Sequence, residues 1–587
     1  MVTDFGIGTT GAVLKPKDDL LQVGLLATRM LQSILREELD HVDRLVYDRL
    51  CTGGVLKKLR EASPLERGAE MALVEEAIAE VDCVMRRAFP GEVGTGVRTR
   101  FGDYLASEQL GERWEEWKGL FVPCFPGYDD VVSRNITVLT GTRGCGKTMV
   151  FRRLSALLNL HIGPVDREAA TAFVGFYLNM NDIGDAFLFR RRAGLSDAFA
   201  KRVIQYFHLC LLAEVARVAE VARLKAAPEE QLAYDRANRW LFDFAADQVG
   251  FDRPYPGPAG ASISAVTEIG KAKDQVRVAR RPPARLAALG ESDWLTRFVP
   301  LLQQTMPWIG DRPIYFFLDD YSLPRLDERL QTVLNSVIFR RSDSYFSKIS
   351  TEAASTLHRT DYSGKELQDP DDFELTDLGS VTIDLSDAER GHFLDEVFQR
   401  RFARDERLQD CDLQKVLDEF DRSWTQLARD IRAASPSGGH DDGGAGSRSR
   451  RVLYHGKKVF VHMWSGDTRA MVRVALDLLA QISPGKDPVL PIDKAAQDKV
   501  LRRTGGQFLH LLQACTRTRR QGAPALPAHI SSWGRHLVSV AEAFKEMALH
   551  ELRTRTGGRR GRDEPKQAFR IEIVDQLSLG ACPRIGA

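Results

Sequence analysis

The spacing of apolar residues divides this chain into a helical first part and a mixed second part. Up to residue 121, apolar residues such as Leu21, Leu25, Leu31 and Ile34 recur at roughly three- and four-residue intervals, as on one face of a helix. Ser63-Pro64-Leu65-Glu66 adds a helix start with a capping box. These patterns predict an all-helical N-terminal region over 1–121.

From residue 136 onward, short apolar runs rich in β-branched and aromatic residues predict strands. The first run ends in a glycine-rich turn, and a helical pattern separates it from the second. Strand, glycine loop, helix and strand in this order begin an open, mainly parallel sheet. The predicted fold is therefore α/β, with a core over 122–430 and strands at Ile136–Thr140, Phe173–Leu178, Ile314–Leu318, Tyr345–Ser350 and Val381–Leu385.

Helical patterns and loops fill the rest of the core. An insertion over about 190–295 contains helical patterns from 194 to 250, followed by a Pro/Gly-rich stretch and a polar, basic segment that ends near Pro283. We expect this last segment to be a surface loop. Helices are predicted again over Trp294–Ile309 and near Arg325–Val337.

The C-terminal third is predicted to contain a linker, a lid and a tail. Residues 431–453 include Pro-Ser-Gly-Gly and Gly-Gly-Ala-Gly, a composition typical of a disordered linker. Apolar periodicity then predicts a helical lid over 454–552. The predicted lid helices are Thr468–Ile482, Lys494–Arg502, Phe508–Ala514 and Trp533–Leu552.

Composition excludes several classes of protein. The 587 residues carry 82 Lys and Arg against 81 Asp and Glu, a net charge of +1, and 43% of them are hydrophobic. These values match an ordinary multidomain globular chain and exclude a wholly disordered or strongly basic protein. We find no apolar run of about 18 residues and no secretion signal. The eight cysteines are scattered, without a C-x2-C pair, which predicts a reduced, cytoplasmic protein without structural zinc.

A phosphate-binding loop follows the first predicted strand. The segment matches G-x-x-x-x-G-K-[ST] in full, and a helical pattern follows it. Backbone amides of such a loop bind phosphate oxygens, its lysine reaches the β- and γ-phosphates, and its hydroxyl residue ligates Mg2+. The predicted nucleotide-binding residues are Gly141, Thr142, Arg143, Gly144, Cys145, Gly146, Lys147 and Thr148, with Lys147 also catalytic and Thr148 a metal ligand.

A second motif supplies carboxylates. The apolar run Ile314–Leu318 is followed directly by Asp319 and Asp320, and the carboxyl ends of parallel strands are where open α/β sheets bind ligands. Asp319 is the predicted Mg2+ ligand and Asp320 the residue that orients the attacking water. Because an aspartate is one methylene shorter than the glutamate of many hydrolytic ATPases, slow hydrolysis is expected.

Two further signals are compatible with a nucleotide site. Ser350 and Thr351 end a predicted strand and are candidates to touch the γ-phosphate or the attacking water; ordinary strand-end hydroxyls are the alternative. Ser465 or Asp467 can cap the next helix, which leaves Arg469 in its first turn as a candidate phosphate ligand. A surface arginine is the alternative there.

With these motifs, the sequence resembles the AAA+ ATPases, and within them the origin-recognition initiator clade, over about 122–552. The resemblance implies that ATP and Mg2+ bind between core and lid, with sensor 1 near Ser350 and Thr351 and Arg469 as sensor 2. The loop and the residues after it also resemble bacterial initiator-like ATPases, many of them associated with antiphage defence. Only Arg359 lies between sensor 1 and the next predicted strand as a candidate arginine finger.

The resemblance does not decide the output of the protein, that is, whether the nucleotide-bound form acts on DNA or on a protein partner. Initiators carry a DNA-reading winged helix after the lid, but here a basic tail over 553–587 leaves room only for an incomplete domain, so we expect duplex DNA to be bound without sequence preference. An acidic pair such as Asp319-Asp320 is also common in STAND signalling ATPases, whose output is nucleotide-gated oligomerisation. That alternative predicts a second copy or a protein partner at the N-terminal helices. A structural subunit with a degenerate site is disfavoured by the intact phosphate-binding loop.

Overall fold

The structure is a computed structural model. It describes residues 110, 113–165, 172–187, 195–279, 281, 283–405, 407–419, 426, 452–481, 489–514, 539, 542, 543 and 546. Within 489–514, side chains are described only up to residue 506. The predictions for the N-terminal helices up to 109, for the linker over 431–451 and for the basic tail lie outside these ranges, as do all but four residues of the helix predicted over Trp533–Leu552. Every helix within them is too short or too polar to cross a membrane.

Five parallel strands form one sheet in the order β2-β3-β4-β1-β5. Residues of β1, β3 and β4 are buried on both faces because helices cover the sheet, which explains the nearly continuous apolar sequence of β3. The four strands predicted first are confirmed to within two residues. The observed strands are β1 Thr137–Thr140, β2 Val174–Asn179, β3 Ile314–Asp319, β4 Tyr345–Thr351 and β5 Glu374–Asp377.

The predicted strand over Val381–Leu385 is wrong. Residues Leu378–Asp384 form a helix, and Asp377 caps it by accepting a hydrogen bond from Gly379 N at 3.0 Å. The fifth strand lies just before, in the more polar Glu374–Asp377, and it pairs with β1 alone. An edge strand tolerates polar residues because one side of it has no neighbouring strand.

Helices lie before and between the strands of the core. The helix after the phosphate-binding loop begins at Lys147, directly after Gly146 in a left-handed conformation. The helix predicted near Arg325–Val337 begins later, at Glu328, because Asp327 caps it by accepting from Leu330 N at 3.0 Å. The core helices are α1 Trp114–Leu120, α2 Tyr128–Val132, α3 Lys147–Leu154, α4 Ala156–Ile162, α5 Asn181–Ala186, α6 Asp197–Lys225, α7 Gln231–Val249, α8 Pro258–Val278, α9 Trp294–Thr305, α10 Glu328–Ile338 and α11 Leu378–Asp384.

The inserted segment folds as a helical layer, and the surface loop predicted for its second half is wrong. Helix α8 occupies that stretch, with Pro258 at its first turn, where a missing amide hydrogen costs nothing. Its buried positions recur at three- and four-residue spacing and pack mainly against α6, which is 29 residues long. These buried apolar residues are Ala261, Ala265, Ile269, Ala272 and Val276.

A group of helices near the C-terminal end of the described chain forms what we call the lid. It takes residues from both sides of the predicted linker, because Phe398 packs edge-on against Phe460 and Lys457 donates to Asp395 at 2.7 Å. The two helices predicted over 494–514 are one. The lid comprises α12 Asp387–Phe402, α13 Leu413–Leu417, α14 Gly456–His462, α15 Thr468–Leu479 and α16 Lys494–Ala514.

Candidate functional site

A cavity of about 420 Å³ lies between the phosphate-binding loop and the lid. Its floor is the loop and the start of α3, and the ends of β2 and β3 supply polar residues. Apolar residues from the segment after α1 and from lid helices α12 and α15 form the opposite walls. Of the residues predicted from sequence, those that line the cavity are Arg143, Gly144, Cys145, Gly146, Lys147, Thr148, Asp320 and Arg469.

The loop backbone has the curvature that phosphate binding needs. Gly144 and Gly146 have φ values of 96° and 100°, a region that side-chain-bearing residues rarely adopt. A Cβ on Gly146 would lie 3.1 Å from the Phe125 ring. Successive amides in such a turn point inwards and form a concave anion-binding surface.

Lys147 lies across this loop and is buried. Its Nζ donates to the carbonyl oxygens of Gly141 at 2.6 Å and Thr142 at 3.2 Å. These bonds hold the cation within the loop, where phosphate oxygens would replace the carbonyls as acceptors. Thr148 lines the cavity one position further on.

Asp319 lies behind the cavity wall, with only 1% of its surface exposed. Its Oδ1 accepts from the Ser350 hydroxyl and, at 3.1 Å, from Asp320 N; its Oδ2 accepts from the Tyr177 hydroxyl at 2.9 Å. Burial, with the charge of Asp319, raises the pKa of Tyr177 well above its usual value, so the phenol stays protonated and donates. The role of Asp319 as a metal ligand stays a prediction, and both of its oxygens already have protein donors.

Asp320 is the acid of this pair that lines the cavity. Its φ of 59° lies in the left-handed region, where aspartate is among the better tolerated residues. Its Oδ2 accepts from Asn181 Nδ2 at 2.8 Å, and its backbone N donates to Ser350 Oγ at 2.9 Å. Backbone and side chain are thus both fixed by neighbours, as is common for strained residues at functional sites.

The two predicted sensor 1 residues have different surroundings. Both are fully buried at the end of β4 and neither lines the cavity. Ser350 bridges the acids, donating to Asp319 and accepting from the backbone of Asp320. Among the described residues, Thr351 Oγ1 has no hydrogen-bond partner.

The start of lid helix α15 contacts the phosphate-binding loop directly. Arg469 N donates to the Gly144 carbonyl at 3.3 Å. Asp467 caps α15 by accepting from Ala470 N at 2.9 Å. A Cβ on Gly144 would lie 2.4 Å from Asp467 Oδ1 and 2.6 Å from Arg469 Cβ, so this packing requires a glycine.

Several polar residues of the site were not predicted from the sequence. Asn179 ends β2, Asn181 follows it, and both line the cavity. A signal for them existed, because polar residues at the carboxyl end of a parallel strand lie at the ligand-binding edge. Glu352, which forms an ion pair with Arg143, follows β4 in the same way. Arg401 lines the cavity from α12, and no motif marks it.

The residues present fit a nucleoside triphosphate with Mg2+. The loop offers amides and one buried cation to the phosphates, while apolar side chains, among them Val122 and Val397, can cover a base. No group of three or more His, Cys, Asp or Glu residues that could hold a metal occurs in the described part of the chain. Mg2+ bound with a nucleotide needs fewer protein ligands, because phosphates and water fill most positions; Thr148 would supply one directly and Asp319, the predicted ligand, another through water.

The chain matches the model of a known protein family. The model of a family described as ORC-CDC6-like matches residues 115–442, more than half of the chain. This range contains the whole sheet and the acidic pair, but it ends before Arg469. No curated protein and no solved structure matches this sequence.

Proposed function

Because this chain belongs to the ORC-CDC6-like family of AAA+ ATPases, we propose that it binds ATP with Mg2+ between core and lid and hydrolyses it slowly. In this proposal the protein is a nucleotide-dependent conformational switch. The contact between Arg469 and Gly144 carries the proposal, because it joins the lid to the loop that would hold the phosphates.

Each residue of the site has a distinct part in this proposal. Lys147 and the loop amides bind the β- and γ-phosphates, and Thr148 holds the metal ion, whose charge stabilises the transferred phosphoryl group. Asp320 orients the attacking water and accepts its proton, while Asn181 holds the Asp320 carboxylate in place. Asp319 remains a predicted metal ligand, and Ser350 positions both acids.

The position of the lid would depend on whether the γ-phosphate is present. Arg469 is the second residue of α15 and lines the same cavity as the loop. Charge-assisted contacts to the γ-phosphate would tighten the lid against the core, and their loss after hydrolysis would release it. Thr351 stays a predicted sensor 1 residue; it is fully buried and does not line the cavity.

Nucleotide binding is tested by titrating ATP and Mg2+ into the wild type and Lys147→Ala. The variant is expected to lose affinity by about 10- to 150-fold, because a charge-assisted hydrogen bond contributes about 1.5–3 kcal/mol. Lys365→Ala is the matched control, since Lys365 lies on the surface in an ion pair with Asp372. Unchanged affinity in Lys147→Ala would reject the assignment of the loop.

The output of the switch has two candidates. Family membership favours DNA association, with the basic tail as the contact. The acidic pair Asp319-Asp320, which lacks the glutamate of many hydrolytic ATPases, favours signalling by nucleotide-gated oligomerisation. Antiphage defence gains no support from the family match and is not part of the proposal.

One experiment separates these outputs: measuring the size of the protein in solution with and without a slowly hydrolysed ATP analogue, each with and without duplex DNA. A complex that forms only with DNA supports the first output. A larger assembly that forms with nucleotide alone supports the second.

A further inference from the structure

Tyr177 lies on β2, on the face of the sheet that α3 covers. On this face the ring of Phe151 from α3 lies 5.2 Å from that of Phe317, between ring centres. Tyr177 pairs with Phe317 in the register of β2 and β3, and Asp319 follows two residues later. Because residues two apart on a strand point to the same face, Tyr177 and Asp319 share it. A tyrosine is long enough to span this diagonal, and its hydroxyl donates to Asp319 Oδ2 at 2.9 Å.

The acceptor sites of the Asp319 carboxylate show what remains for a further donor. An ionised carboxylate has about four such sites on its two oxygens. Oδ1 accepts two hydrogen bonds, from the Ser350 hydroxyl and from Asp320 N. Among the described residues, Oδ2 accepts only the one from Tyr177. Oδ2 therefore keeps an acceptor site, and the Tyr177 hydroxyl fixes the direction in which that site points.

Arg152 restrains the ring of Tyr177. Its guanidinium carbon lies 4.7 Å from the centre of that ring and 5.5 Å from the ring of the buried Trp117, distances at which a cation is attracted to an aromatic face. Arg152 follows Thr148 by four residues in α3, which places both on the same side of the helix. The helix that carries Thr148 is thus joined through Arg152 and Tyr177 to Asp319.

We propose that Tyr177 is a positioning residue for Mg2+: its hydroxyl holds Asp319 so that Oδ2 can accept a hydrogen bond from a water of the metal ion. The inference rests on the proposed nucleotide site and adds a residue that governs the dependence of this site on Mg2+. Tyr177 does not line the cavity and acts through Asp319, so the contacts of Lys147 and the loop with the phosphates do not depend on it.

The test measures ATP affinity with Mg2+ and with EDTA in the wild type and in Tyr177→Phe. The ratio of the two affinities is the enhancement that Mg2+ provides. Phenylalanine keeps the ring that contacts Arg152 and removes only the hydroxyl. Tyr177→Phe should reduce the enhancement by about 10-fold or more, as is typical when a partner of a metal-binding group is lost, and should leave the affinity in EDTA unchanged.

Tyr345→Phe is the matched control. Tyr345 is a buried tyrosine at the start of β4, and its hydroxyl has no hydrogen-bond partner among the described residues. Its replacement removes the same atom from the same sheet without touching Asp319. Tyr345→Phe should therefore change neither the affinity in EDTA nor the enhancement by Mg2+.

Asp319→Asn separates the inference from the proposed function. Alone, this variant should lose the enhancement by Mg2+. In the Asp319→Asn background, Tyr177→Phe should have no further effect, because the hydroxyl acts through the carboxylate. A general effect of Tyr177→Phe on the fold would instead add to that of Asp319→Asn and would contradict the inference.

The remaining outcomes are distinct. Unchanged enhancement in Tyr177→Phe, together with lost enhancement in Asp319→Asn, would overturn the inference and keep the metal role of Asp319. Larger enhancement in Tyr177→Phe would show that the hydroxyl competes with the metal ion, which also overturns the inference. Equal enhancement in the wild type and Asp319→Asn would reject Asp319 as a metal ligand and the inference with it. Binding of no nucleotide by the wild type would reject the proposed site itself.

Discussion

At the scale of single residues, Asp320 combines an unusual backbone conformation with a position on the cavity. We expect Asp320→Asn to keep nucleotide affinity within about threefold and to lower ATP turnover by about 100-fold or more, because the amide cannot accept a proton. Steady-state phosphate release measures the turnover. Asp361→Asn, an acid of the surface segment that follows β4, is the control. Equal turnover in Asp320→Asn and the wild type would remove Asp320 from the mechanism.

A second residue-scale prediction concerns Glu214, which is buried within α6. Burial raises its pKa from 4.5 to about 7, and Arg217 and Arg152 oppose this only in part. Because the pKa is higher in the folded state, the folded chain holds more protons between these pH values, and stability falls as pH rises through the window. The loss should be roughly 2–4 kcal/mol.

Glu214→Gln should remove most of that pH dependence, because the amide does not ionise. Urea unfolding at pH 5 and pH 7.5 measures the free energy of unfolding of both proteins, and the variant should be the more stable at the higher pH. Glu229→Gln, at an exposed position, should leave the dependence intact. A wild type equally stable at both pH values would contradict the prediction.

At the scale of elements, the joint between α15 and the phosphate-binding loop depends on one glycine. Gly144→Ala should push Asp467 and Arg469 away, because a Cβ there would lie within 2.6 Å of both side chains. The amides of α15 should then exchange faster with deuterium than in the wild type. Gly310→Ala shares the positive φ but has no neighbour within 4 Å, so it controls for backbone strain. Identical exchange in Gly144→Ala would show that the joint is not rigid.

Strands could be predicted from sequence where burial of both faces produces a continuous apolar run. The strand Ile314–Asp319 is buried throughout, and its apolar run was unambiguous. Helix α8 was not predicted, because Pro258 and the nearby glycines are typical of a loop. In addition, its buried face consists largely of alanine, which contributes little to a hydrophobic pattern. The edge strand Glu374–Asp377 escaped because its polar residues do not form an apolar run.

The residues of the site that belong to a recognisable motif could be predicted from the sequence. The loop residues and Asp320 are identified by spacing, because a backbone turn and a strand end are local features. Which of the two acids faces the cavity cannot be predicted from the local sequence. It depends on Tyr177 and Ser350, which lie on two other strands and donate hydrogen bonds to the carboxylate oxygens of Asp319. Arg401 depends on how a lid helix packs against α1, which no local pattern encodes.

At the scale of the whole molecule, the basic tail is predicted to provide DNA binding. Replacement of Arg553, Arg555, Arg559, Arg560 and Arg562 with Ser should abolish binding to duplex DNA and leave ATP affinity unchanged. If these residues contact phosphates, wild-type affinity should fall by roughly two to three orders of magnitude between 50 and 200 mM salt. Fluorescence anisotropy with two unrelated duplexes measures both effects. Tight binding to one duplex at high salt would contradict an electrostatic, sequence-independent contact.

The position of β1 in the sheet affects the order in which parts of this protein can fold during synthesis on the ribosome. Val138 pairs with Ile349 on one side and Leu375 on the other, so the strand that carries the phosphate-binding loop is made long before either neighbour. Helices α6 to α8 form from local contacts and can pack while synthesis continues, since local contacts form faster than distant ones. The nucleotide site is therefore completed late, and a nascent chain that ends before Asp377 cannot yet act as a switch.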